Sequence, residues 1–150
     1  MQNSDIITLI HNGLMAITTH SLDAADAYQV YKFKKLVLDA YTTINTDEQE
    51  LLKECDIEDA DTFNIELEQA RISDLEKFEE LAKKLQKFNG LRQSLYNEPV
   101  NVETIKPLSY ESWKKLQDEN AQVAFRDKKI DVFSGPIEYI LENILWVSPE

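Results

Sequence analysis

The chain has 150 residues, with 16 Lys or Arg against 28 Asp or Glu for a net charge of −12, three glycines, four prolines and one cysteine. That length suits one domain with a real core. So few Gly and Pro exclude an all-β sandwich, which needs a turn about every 8–12 residues, and a single thiol excludes an intrachain disulfide.

The acidity is unevenly spread. Residues 1–45 carry 4 acids and 3 bases, residues 46–80 carry 14 and 3, and residues 81–150 carry 10 and 10. Binding to nucleic-acid phosphates needs clustered Lys and Arg, so direct nucleic-acid binding is not expected. A protein partner with a basic surface is the natural complement. Residues 1–5 lack the basic n-region of a signal peptide, and no apolar run approaches the roughly 20 residues of a membrane span. The expectation is a cytoplasmic protein that engages no membrane.

In chain order, residues 5–19 form a short apolar helix with Ser4 as its cap, weakened at Gly13 by about 1 kcal/mol relative to Ala. Ser21 can cap the next helix, an arm of about 22–55. Along it Val30, Phe33, Val37, Tyr41 and Ile44 recur at steps of three and four and so share one face. Tyr28, Tyr31, Leu36 and Leu38 lie off that stripe, which asks for two neighbours. Thr46 to Gln49 has the form of a capping box. Two readings stay open there: a break near Asn45, or a continuous helix with Thr46 exposed.

The acidic connector 54–61 follows. A second arm then starts at Asp61 or Thr62 and carries Phe78, Leu81, Leu85, Phe88 and Leu95 at helical spacing to about Tyr96. Ser73 to Glu76 is another capping-box pattern, a possible restart. The spacing pairs Phe33, Val37 and Tyr41 with Phe78, Leu81 and Leu85. Pro99 stops the arm. Residues 100–104 and 129–133 alternate as strands do and would make a small two-stranded β-ribbon. Between them Ser109 opens a short helix through Trp113 and Leu116. Ser134 ahead of Pro136 starts the last helix, apolar at Ile137, Ile140, Leu141, Ile144 and Leu145.

The fold expected is therefore mainly α: a single helical domain over 1–150, built as a long antiparallel helical hairpin with short N- and C-terminal helices packed on it and the small ribbon beside them. Apolar residues on several sides of the first arm, with an apolar last helix, point to a homo-oligomer.

Chemistry is sparse. Cys55 stands between Glu54 and Asp56, which disfavour a thiolate. His11 and His20 are nine residues apart and would point in opposite directions from one helix. His20 with Asp23 supplies two ligands where a structural zinc needs four. The connector acids Glu54, Asp56, Glu58, Asp59 and Asp61 lack the EF-hand glycine and closing glutamate, Leu67 standing at position twelve from Asp56. No phosphate-binding loop or nucleophile elbow is present. No enzyme, cofactor or metal is expected, and those five acids are the candidate partner-binding residues.

One pattern spans most of the chain: a short N-terminal helix, Ala27 and Tyr28, Lys32 to Leu36, Glu50 to Glu54, Phe78 to Leu81, Pro99 to Ile105 and a closing apolar helix. In this it resembles an uncharacterised family of small phage and prophage proteins encoded among virion structural genes. The resemblance implies a non-enzymatic interaction protein, an assembly factor or minor structural component acting through helix faces. The clustered charge supports a different class, an acidic inhibitor or nucleic-acid mimic that occupies a partner's basic site through residues 46–80.

Overall fold

The computed structural model describes residues 1–145. It is mainly α, with one small antiparallel ribbon. The elements are α1 (Asn3–His11), a 3-10 turn (Leu14–Ala16), α2 (Ala24–Glu54), α3 (Ala60–Ser73), α4 (Leu75–Tyr96), α5 (Tyr110–Glu119), β1 (Val123–Phe125), β2 (Lys128–Ile130) and α6 (Pro136–Leu145). Two compact units divide the chain, one formed by Met1–Tyr41 with the chain from Pro99 onward, the other by Thr42–Glu98. Among the described residues no helix is long and apolar enough to cross a membrane.

In the first unit α1 is shorter than expected. Its N-cap is Gln2 rather than Ser4, with the Asp5 carboxylate accepting the Gln2 N–H at 2.8 Å. The helix ends at His11 because Gly13 takes φ 96°, a left-handed turn that glycine enters without steric cost. A Cβ there would also stand 3.0 Å from Ile130 Cδ1, so the ribbon closes over this position. Ser21 does not cap α2. Asp23 does, its Oδ1 accepting the Asp26 N–H at 2.9 Å. The core of this unit includes Ile6, Leu9, Leu14, Phe33, Val37 and Leu116, all wholly buried. Trp113 meets Phe133 edge to face at 5.3 Å, and α6 turns Ile137, Leu141 and Leu145 inward.

The ribbon pairs Val123 with Ile130 and Phe125 with Lys128. Its two-residue turn has Arg126 and Asp127 at φ 50° and 64°, the signs a type I′ turn requires. The strand expected at 100–104 is absent. An isolated bridge between Gln2 and Pro99 and the bond from Val100 N–H to Met1 C=O (2.8 Å) begin that stretch, after which Asn101 folds back to accept the Glu103 N–H. Without a partner strand the alternation there cannot become a ladder. The second strand sits at 128–130, shorter than the 129–133 run.

Asn120, wholly buried, accepts the Thr18 N–H at 2.9 Å and donates to the carbonyls of Thr18 (2.9 Å) and Leu116 (2.8 Å). The neighbouring Glu119 carboxylate accepts from the Thr18 hydroxyl and from the backbone N–H groups of His20 (2.9 Å) and Ser21 (2.6 Å). These two side chains tie the segment between the 3-10 turn and α2 to the end of α5, which satisfies backbone groups that no helix or strand serves.

In the second unit α2 runs unbroken through Asn45. The Thr46 hydroxyl donates to the Thr42 carbonyl at 3.1 Å, an exposed side chain bonding back one turn rather than a cap. The break does occur near Ser73, one residue later. Asp74 is extended (φ −153°, ψ 96°) and its carboxylate accepts the Lys77 N–H at 3.2 Å, so it caps α4. The second arm is thus two helices, and α3 folds back on α4.

This changes the pairing expected from periodicity. Phe33 and Val37 are buried in the first unit, whereas Phe78, Leu81 and Leu85 pack in a cluster with Leu52, Cys55, Ile57, Phe63 and Phe88. Tyr41 sets its ring edge to face against His11 at 6.1 Å. Near the end of α4 the Glu48 carboxylate of α2 accepts the Tyr96 hydroxyl, and Leu51 shares a groove with Leu91 and Leu95.

Burial raises the Glu119 pKa, but hydrogen bonds from Ser21, Thr18 and His20 outweigh it and hold the carboxyl at about 2. A folded-state pKa depressed below the unfolded value of about 4.3 contributes stability that is complete above that value and lost as pH falls through about 2. Glu119→Gln should therefore destabilise the protein at neutral pH and weaken its acid dependence. Urea unfolding at about pH 7 and about pH 3 reads both effects. An unchanged midpoint at neutral pH would show that the carboxylate is dispensable.

Candidate functional site

The acidic connector is built by a helix stop. At the end of α2, Asp56 takes φ 55°, and the N–H groups of Asp56 and Ile57 donate to the carbonyls of Lys53 (3.0 Å) and Leu52 (2.9 Å). This is a Schellman ending with aspartate in the left-handed position that glycine usually fills. Its apolar contact is present too, since Leu52 and Ile57 share one cluster. Cys55 and Ile57 are buried, whereas Glu54, Asp56, Glu58, Asp59 and Asp61 are all exposed. With Cys55 and Ile57 turned inward, the five carboxylates from the end of α2 to the start of α3 all face solvent. None carries an ion pair with Lys or Arg among the described residues.

Asp59 also has a structural task. It caps α3 by accepting the Thr62 N–H (3.2 Å) and hydroxyl (2.6 Å), and those bonds lower its pKa. A shallow cleft of about 280 Å³ lies beside it, lined by Asp56, Glu58, Asp59, Glu66 and Lys84 among others. Among the described residues no three His, Cys, Asp or Glu side chains converge as metal ligands would. Cys55 lies in the apolar cluster, and His20 contributes its backbone N–H to Glu119.

A second surface was only half legible in the sequence. Tyr28, Tyr31 and Leu38, off the main stripe of α2, were expected against a second neighbour. They stand 57%, 58% and 47% exposed. The two tyrosines stack at 6.1 Å, and Lys32 reaches over the Tyr28 ring at 5.6 Å while donating to the Thr104 carbonyl at 2.7 Å. A groove of about 520 Å³ beside this face is lined by Met15, Ile17, Ala27, Tyr31, Lys34 and Leu38. Lys34 donates to the Ile17 carbonyl at 2.8 Å, and burial lowers its pKa. A further groove of about 410 Å³ runs between Tyr28, Tyr31, Lys35 and Thr104. The arrangement is an apolar helix face edged by Lys32, Lys34, Lys35 and Asp39.

No protein family, no curated protein and no solved structure matches the chain.

The helix stop is directly testable. Because a side chain in the left-handed region is strained, Asp56→Gly should raise stability by up to about 1 kcal/mol and Asp56→Val should lower it by about 1–2 kcal/mol. Neutralising Asp56, Glu58 and Asp61 to Asn or Gln, with Asp59→Asn retaining a capping residue, should leave stability equal or slightly higher. Denaturant midpoints check all of these. A large loss on neutralisation would make the acids part of the fold rather than of a surface.

Proposed function

We propose that this chain is a non-enzymatic interaction protein, an assembly factor or minor structural component of a phage-like particle, acting in the cytoplasm through the outer face of α2. The observation that carries the reading is the exposed line of Tyr28, Tyr31 and Leu38 on a helix whose other apolar face buries Val30, Phe33 and Val37. Aromatic side chains at the centre of an apolar, lysine-edged patch have the composition of an interface core. The resemblance to small proteins encoded among virion genes supplies the phage context.

A second reading rests on the connector. Five exposed carboxylates with no ion pair to Lys or Arg among the described residues, Glu54, Asp56, Glu58, Asp59 and Asp61, suit an acidic inhibitor or nucleic-acid mimic that occupies a basic site on a partner. Binding there would weaken steeply with salt, because exposed charges are screened beyond about 8 Å at physiological ionic strength.

A photo-crosslinking residue placed at Tyr31, with a second placed at Asp59 for comparison, separates the two readings in a lysate of producing cells. The α2 reading expects a discrete, largely salt-insensitive product at Tyr31 that contains a virion or assembly protein. A product only at Asp59, lost at high salt and containing a nuclease or another basic protein, would replace it with the mimic reading.

A further inference from the structure

The outer faces of α2 and α3 carry the same pattern in opposite directions. On α2, Tyr31 and Leu38 stand seven residues apart with Lys35 four past the first, and all three are exposed. On α3, Ile65 and Ile72 also stand seven apart, 60% and 83% exposed, with Glu68 four before the second. Each apolar pair spans about 10.5 Å at 1.5 Å of rise per residue, two turns along one helix face. Run antiparallel, the two faces place apolar against apolar at both ends and opposite charges between them.

We propose that α3 of one copy docks antiparallel on the outer face of α2 of a second copy, with Ile72 on Tyr31, Glu68 on Lys35 and Ile65 on Leu38. This rests on the reading of the α2 face as an interaction surface and names its occupant. Three observations favour a second copy. Among the described residues Ile72 is the most exposed of the large apolar side chains, and it shares its helix face with the exposed Ile65. The hollow beside Tyr31 and Leu38, about 520 Å³ and floored by Met15, Ile17 and Ala27, can receive aliphatic side chains of that size. Charge is complementary at the centre of the contact: Lys35 is exposed between Tyr31 and Leu38, with Asp39 at the edge of the face, while α3 belongs to the acidic stretch and presents Glu68 between its two isoleucines. Glu68 pairs with Arg71 of its own helix at 3.0 Å, both side chains more than half exposed, and an exposed pair of this kind leaves Glu68 free to exchange partners. The contact joins two different surfaces, so two copies either make it reciprocally in a closed dimer or add head to tail in a ring or open chain.

Sedimentation of the purified full chain at concentrations up to about 100 μM, the range suited to a small interface, tests this. The wild-type mass should rise with concentration from 17.4 kDa to that of a dimer or more. Ile72→Asp and Leu38→Asp, both at exposed positions and checked by unchanged circular dichroism, should each be monomeric. Their equal mixture should form a dimer and stop there, since it holds one intact helix face of each kind. Lys35→Glu should weaken association about ten-fold by setting like charges together, and adding Glu68→Lys should recover it. A monomeric wild type, a mixture that stays monomeric while the wild type associates, or a charge exchange without recovery would overturn the proposal. A monomer whose Tyr31 still cross-links a different protein overturns self-docking alone. Failure of the α2 reading shows separately, as no product at Tyr31.

Discussion

Helix α2 is apolar on two faces roughly 140° apart around its axis, and the unit built around its first half covers one of them. Val30, Phe33 and Val37 fill the core, each nearly or wholly buried, and burying side chains of this size is worth about 1.5–3 kcal/mol apiece. Tyr28, Tyr31 and Leu38 look outward. An exposed apolar surface of this kind is only partly covered in the free chain and invites association. The functional reading follows from that imbalance rather than from any reactive group.

Polar devices at the helix ends decide where each element stops. Asp23, Asp59, Asp74 and Ser109 accept N–H groups at the starts of α2, α3, α4 and α5. Asp56 and Gly13 turn the chain through left-handed conformations. Glu119 and Asn120 satisfy the backbone of residues 18–21, which lies outside regular structure. Asp23, Asp59 and Asp74 therefore have local work at caps. Glu54, Glu58 and Asp61 do not share it, which keeps the connector a candidate surface.

How much of this was legible follows from what periodicity encodes. Spacing tells which residues share a helix face, and it placed α2, α4, α5 and α6 close to where they lie. It does not tell what covers a face. The stripes of α2 and α4 looked like partners because both were apolar, yet the break at Asp74 lets α3 cover α4, and Phe33 finds its burial in the other unit. The strand β1 went unseen because its turn is Arg126-Asp127, without the Asn-Gly or Asp-Gly pair that marks a type I′ hairpin. Residues 100–104 had the alternation of a strand and no neighbour to pair with. The five connector acids could be named from composition, whereas their common exposure depended on the burial of Cys55 and Ile57 between them.

The central claim is that the outer face of α2 is an interface and that α3 of another copy is its complement. Backbone amide chemical shifts followed through a dilution series test it most directly, because they report which residues change environment as copies separate. The account predicts shifts confined to the outer faces within residues 27–39 and 61–72, and their absence in the Ile72→Asp protein. Shifts centred elsewhere, on the ribbon at 123–130 or on α5, or spectra that do not change with concentration, would contradict it.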